Sequence, residues 1–400
     1  MAKNIVLCCD GTGNEFGDAN SNVERLYSVL RLDDGRQVAY YHPGVGTMGA
    51  PNALLKISQW WTRMLGMIFG YGLTAMCEDA YIYLMEAFEP GDAVFVFGFS
   101  RGAYTARTVC SMLRMYGLVR QGDEALVRYI SRMLRHGQDP PPRPGEPPPP
   151  NRFQLAAQFK STFSRPCRPH FVGVWDTVSS VGWIYNPVRL PYTAKNEDIR
   201  IARHAISIDE RRGFYRPNLW QPLDPKYGQD LKQVWFAGVH SDVGGSYPEA
   251  TGQLSKIALQ WMLREACAAG LRVDPYKVEC VLGRNPADRA CKAFVAPDAA
   301  ADAHDSLKGL WRLLELVPKR VNIEVEQPDG TVKWVKKWKL PLGERRRIDP
   351  GSLVHQSVEE RMARRQDYRP KNLPPKPDYQ VVQDLPAEVC EGGGAGEIAP

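Results

Sequence analysis

Four stretches of the chain are continuous apolar runs that stop at polar or glycine-rich turns. NIVLCC (4–9) runs into DGTGN, AVFVFG (93–98) into Ser100, HFVGVW (170–175) into DTVSS, and QVWFAGV (233–239) into HSDVGG. An alternating pattern would mark strands with one wet face. Continuous runs predict strands buried on both faces of a largely parallel sheet.

Between them lie patterns with helical spacing. Residues 74–88 put Cys77, Ala80, Leu84 and Phe88 on one stripe, with Thr74 as N-cap and Pro90-Gly91 as the stop. Helices are also expected over 101–116, 196–209 and 253–269. Strands alternating with helices predict an α/β fold. QDPPPRPGEPPPP (138–150) is too rich in proline for helix or central strand and reads as an extended surface loop. After about residue 300 the rhythm weakens. There IEVEQPDGTVKWVKKW (323–338) reads as a hairpin around Asp329-Gly330, a C-terminal decoration on one domain spanning 3–375. Residues 376–400 read as a flexible tail.

Composition narrows this picture only a little. The 400 residues are 44% hydrophobic and 24% charged, as in ordinary globular domains. The net charge of +6 falls short of a nucleic-acid footprint, and no nucleic-acid motif accompanies it. It mildly favours an anionic surface such as a membrane. Nine scattered cysteines with no C-x-x-C pair read as reduced thiols rather than a zinc site or disulfide framework. No signal peptide or membrane span is read, so a cytoplasmic location in the producing cell is expected.

The chemistry concentrates at Gly98-Phe99-Ser100-Arg101-Gly102, which fits G-x-S-x-G. Chance alone produces that pattern in roughly one chain in seven of this length. Here an apolar strand precedes it and an amphipathic helix follows, which is the context of a nucleophile elbow. The bland alternative is a serine that merely caps the helix. An elbow serine requires a base and an orienting carboxylate, in the chain order Ser, Asp/Glu, His. Asp176 and His240 each end an apolar run, where open α/β sheets place their sites. His204 falls in the 196–209 helical pattern and reads as structural. Asp242 is the alternative carboxylate. It is less favoured because, two residues from the base, it would struggle to reach the far ring nitrogen. The amide of Arg101 and those of Gly11 or Thr12 are the expected oxyanion donors. Asp10-Gly11-Thr12 also resembles a haloacid-dehalogenase-type loop, but that loop needs an aspartate where this chain has Cys8. The reading is a serine ester hydrolase requiring neither metal nor cofactor. The alternatives are an esterase for small non-lipid esters and a non-catalytic hydrolase-fold binding protein.

CDGTGN (9–14), FEPGD (88–92), FGFSRGAYTAR (97–107), GVWDTV (173–178), RHAISIDERR (203–212) and GVHSDVGGSY (238–247) together resemble the catalytic domain of the type VI secretion phospholipase effectors. HDSLKG (304–309), VHQSVEERM (354–362) and YRPKNL (368–373) extend the similarity. The resemblance implies an α/β-hydrolase core and a triad of Ser100, Asp176 and His240. It also implies phospholipid substrates, delivery by a secretion machine, and a secretion-machine or immunity partner.

Residues 53–73, with Trp60, Trp61, Met64, Met67, Ile68 and Phe69, read either as an apolar lid or interfacial helix, or as a core helix. Trp334 and Trp338 among lysines read as a solvated edge strand in preference to a membrane contact.

Overall fold

The computed structural model describes residues 2–11, 17–44, 71–135, 151–178, 182–183, 186–187, 190–326 and 332–391. The proline-rich loop, the turn at Asp329-Gly330 and nearly all of the 53–73 segment lie outside the described residues.

An eight-stranded sheet forms the centre. In chain order its strands are β1 (Asn4–Cys9), β2 (Gln37–His42), β3 (Ala93–Phe99), β4 (Pro169–Trp175), β5 (Ile201–Ser207), β6 (Asp230–Phe236), β7 (Ser352–His355) and β8 (Tyr379–Val382). They lie side by side as β8-β7-β6-β5-β4-β3-β1-β2. Every neighbouring pair is parallel.

The continuous runs follow from burial on both sides. Ile5, Leu7, Val94, Val96, Val172 and Val174 pack under the helices Tyr71–Ala87, Arg101–Tyr116, Glu124–Arg135 and Arg152–Phe163. Their neighbours in the same strands, Val6, Cys8, Phe95, Phe97, Phe171 and Trp175, pack under Asn22–Ser28 and Gln253–Ala268. Successive side chains leave a strand on opposite faces, so both faces demand apolar residues. Each fully buried large aliphatic or aromatic side chain stabilises the fold by about 1.5–3 kcal/mol.

Several expectations are corrected. Residues 196–209 contain the strand β5, not a helix. Arg203 and His204 interrupt its apolar run and make it look helical, yet both are buried in mid-sheet with their polar groups partnered. Arg203 bonds Glu265 and Asp230, and His204 accepts from the amide of Thr177. Pairing with strands on both sides overrides the local pattern. Thr74 lies inside the helix Tyr71–Ala87 rather than capping it. The hairpin forms from Lys319–Glu326 and Val332–Lys339, and Lys337, Trp338 and Lys339 are exposed. The C-terminal region also extends the central sheet through β7 and β8. The tail expected to be flexible from 376 therefore holds a sheet strand, anchored by pairing to Ser352–His355. Cys280 and Cys291 form a disulfide, because the turn after Pro275–Val281 brings them together; the other seven cysteines are not disulfide-bonded.

The strand order also positions the site. β1 sits between β2 and β3, so the chain reverses its winding there and opens a crevice at the strands' C-terminal ends. Asp10 follows β1, Ser100 follows β3, Asp176 follows β4, and His240 lies shortly beyond β6.

Candidate active site

The elbow is built by steric exclusion. Ser100 has φ 59° and ψ −116°, left-handed for a residue with a Cβ. Such a conformation costs about 1–3 kcal/mol and persists only where the surroundings impose it. Glycine on either side lets the chain turn. A Cβ on Gly98 would lie 2.4 Å from the carbonyl oxygen of Gly102. One on Gly102 would lie 2.0 Å from the carbonyl oxygen of Cys9. The helix Arg101–Tyr116 starts immediately, but the Ser100 side chain makes no capping bond to it. Its Oγ stands 2.9 Å from His240 Nε2 instead.

The other imidazole nitrogen, Nδ1, is 2.5 Å from Asp176 Oδ2. His240 opens the short helix His240–Gly244, and its ring packs against Phe99 and edge-on against Tyr215, each centroid 4.7 Å away. Asp176 is fully buried. Its carboxylate accepts from the amide of Ser207 (3.0 Å) and from two nitrogens of Arg346 (2.5 and 2.9 Å). Burial alone would raise its pKa. The charge of Arg346 and the bond to His240 outweigh burial and hold it well below the usual carboxylate range. Burial lowers the His240 imidazole below its ordinary value, and Asp176 only partly offsets this.

Residues 3–265, which carry all three of these side chains, match the family model for the T6SS phospholipase effector Tle1-like catalytic domain. The chain belongs to this family. A Saccharomyces cerevisiae protein described as uncharacterized protein YEL023C is 35% identical over 234 residues, which are 55% of this chain and 33% of that protein. The chain thus spans about a third of that relative's length. A crystal structure of an uncharacterized protein from Pseudomonas aeruginosa aligns with a TM-score of 0.40 and 21% identity, over 74% of this chain and 49% of that one.

In this Tle1-like chain the other expected residues separate clearly. Asp242 does not touch the His240 ring. It accepts from the amide of Val239 (3.1 Å) and bonds Nδ1 of His304 (2.6 Å), so it caps a loop and ties down the 304 segment. The Gly11 amide is taken by Asp10 Oδ1 at 2.6 Å, which corrects its assignment as an oxyanion donor. Asp10 is itself held by Ser21 and Tyr41, so this carboxylate organises the loop. Thr12 lies outside the described residues. The Arg101 amide sits in the first turn of its helix, where no intrahelical acceptor reaches it. Burial lowers the Arg101 guanidinium to about 10.

Two partners of the site were not singled out from sequence. Glu210 accepts from the amide of His240 (3.2 Å), from Arg212 and from Ser306. Burial would raise its carboxyl, but the bond and charge of Arg212 hold it at about 2. It lies within the quoted RHAISIDERR stretch, so a signal for it existed. Arg346 had none: it is remote in sequence and sits in an arginine run that reads as surface charge. No group of three or more potential metal ligands occurs among the described residues. No helix among them is long and apolar enough to cross a membrane.

Proposed function

We propose that this chain is a serine hydrolase that cleaves carboxylic esters, with phospholipids as its substrate class. The observation that supports this reading is the unbroken line from Ser100 Oγ through the His240 ring to Asp176, at 2.9 and 2.5 Å. His240 Nε2 takes the proton of Ser100 as Oγ attacks the acyl carbonyl. Asp176 holds Nδ1 protonated and stabilises the imidazolium. The Arg101 amide, at the positive end of its helix, faces the developing oxyanion. His240 then protonates the leaving alcohol, and water releases the acyl group by the same route. Family membership supports the phospholipid substrate and delivery to a target cell by a type VI secretion machine.

A fluorophosphonate probe tests the nucleophile. The expected result is one adduct per chain, on the peptide carrying Ser100, blocked by prior heat denaturation. No adduct, or an adduct elsewhere, would leave the non-catalytic binding role. Hydrolysis of p-nitrophenyl esters from acetate to palmitate, beside phospholipid vesicles, then separates lipid from small-ester substrates.

The pH dependence follows from the buried imidazole. The reaction needs His240 neutral, and burial places its titration below the ordinary 6.5. With a non-ionising ester, kcat/KM is expected to stay flat from about pH 8 downward and to fall only below that ordinary value. An acid limb centred above pH 7 would contradict the assignment.

A further inference from the structure

Arg346 lies beyond the family match at residues 3–265 and is buried. Both terminal nitrogens of its guanidinium reach Asp176, one on each carboxylate oxygen. Counting these with the Ser207 amide on Oδ1 and His240 Nδ1 on Oδ2, each oxygen has two partners. The carboxylate's roughly four lone-pair sites are therefore filled, and rotation would break at least two bonds. The arginine is fixed in turn. It donates to the carbonyls of Ser207 and Tyr215, while Asn372 Nδ2 bonds its own carbonyl at 3.0 Å. Tyr215 also packs against the His240 ring, so this arginine braces two walls of the imidazole site.

We infer that Arg346 is a positioning residue for the Ser100–His240–Asp176 relay: its two-pronged grip keeps the buried Asp176 carboxylate charged and aimed at Nδ1. This rests on the hydrolase reading above. The physical need is plain. A fully buried carboxylate with no cationic partner favours its protonated form. A neutral Asp176 could no longer stabilise the imidazolium that forms when Ser100 gives up its proton. The C-terminal region thus does more than extend the sheet, because it supplies the charge that balances the orienting carboxylate. The charged and titratable groups facing this pair are Arg346, Arg212, Glu210, Tyr215 and His204. Arg212 is committed to Glu210 through two bonds, and burial keeps His204 neutral, at about 3. Neither replaces Arg346.

The test compares Arg346→Met and Arg346→Lys with the wild type in full pH–rate profiles on a soluble ester. Neutralising the orienting carboxylate of a serine triad costs about ten-thousandfold, and Arg346 acts one step further out. Arg346→Met is therefore expected to lower kcat on the order of a hundredfold with little change in KM. Its acid limb should move upward by at least about one pH unit, because Asp176 and His240 both hold protons more tightly once the cation is gone. Arg346→Lys keeps the charge but not the fork. It should return the limb towards the wild-type position while kcat stays below it. A merely structural brace would lower activity without moving the limb, and that result overturns the proposal. So does wild-type kcat in Arg346→Lys, which also decides the matter if the Met variant does not fold. Fluorophosphonate labelling of wild-type Ser100 tests the underlying reading separately. Labelling without an Arg346 effect sinks only this inference, whereas no labelling sinks both.

Discussion

Ser100→Ala is expected to fold like the parent chain and to lose ester hydrolysis by at least about ten-thousandfold in kcat. Removing the nucleophile of a serine triad costs up to roughly a millionfold, and what remains comes from the oxyanion site and binding alone. At 1.36 kcal/mol per tenfold, the expected minimum is about 5 kcal/mol of transition-state stabilisation. Stability should hardly change. The Ser100 side chain makes no helix-capping bond, and the half-buried serine's Oγ bonds His240 Nε2 at 2.9 Å. Alanine meets the same backbone strain at φ 59° as serine does. Initial rates on a p-nitrophenyl ester, paired with thermal melting, check both parts. Equal turnover by the two proteins would remove the hydrolase assignment.

Gly102→Ala is expected to be the most damaging small substitution near the site, and to act on folding rather than on chemistry. The added Cβ would meet the carbonyl oxygens of Cys9 and Asp10 at 2.0 and 2.5 Å. Both belong to backbone at the end of β1, which is paired on both sides and cannot step back. Either the helix Arg101–Tyr116 lifts off the sheet or β1 shifts, and each breaks packing on two faces. A loss above about 4 kcal/mol is expected, which places it among the exceptional single substitutions. At roughly 1 °C per kcal/mol for a chain of this size, the melting temperature should drop by at least about 5 °C. Gly17→Ala is the control, because nothing lies within 4 Å of its added Cβ. A Gly102→Ala protein that melts like wild type would show that the strand–helix junction is looser than its geometry indicates.

The two substitutions probe different layers of one corner. Gly98 and Gly102 let the chain turn, and the turn exposes Ser100 at the crevice beside β1. His240 arrives from beyond the end of β6, three strands away from β3 in the sheet order, through a short helix whose Gly244 must lack a side chain because a Cβ would enter the Phe99 ring at 1.9 Å. Phe99 in turn packs on the imidazole. Elbow and base are thereby seated against each other by the same aromatic ring, so their separation is set by packing rather than by loop length.

What was legible from residues alone was whatever a short stretch encodes by its own sterics and burial. Continuous apolar runs marked β1, β3, β4 and β6, because a strand buried on both faces cannot tolerate polar alternation. Gly98, Ser100 and Gly102 marked the elbow, because only that spacing admits so tight a turn. Asp176 and His240 could be singled out because parallel strands end together at one edge of the sheet, and the fold brings them within hydrogen-bond reach of each other and of Ser100. Tertiary structure alone decided the rest. His204 and Arg203 sit in a strand because their partners, Thr177, Glu265 and Asp230, arrive from other elements. The Gly11 amide is lost to its own neighbour Asp10, a competition no local pattern displays. Arg346 reaches Asp176 across 170 positions, and no periodicity records a pairing whose two halves meet only when the sheet is assembled. Local sterics are written in neighbouring residues, while the compensation of a buried charge depends on which distant group the fold brings within reach.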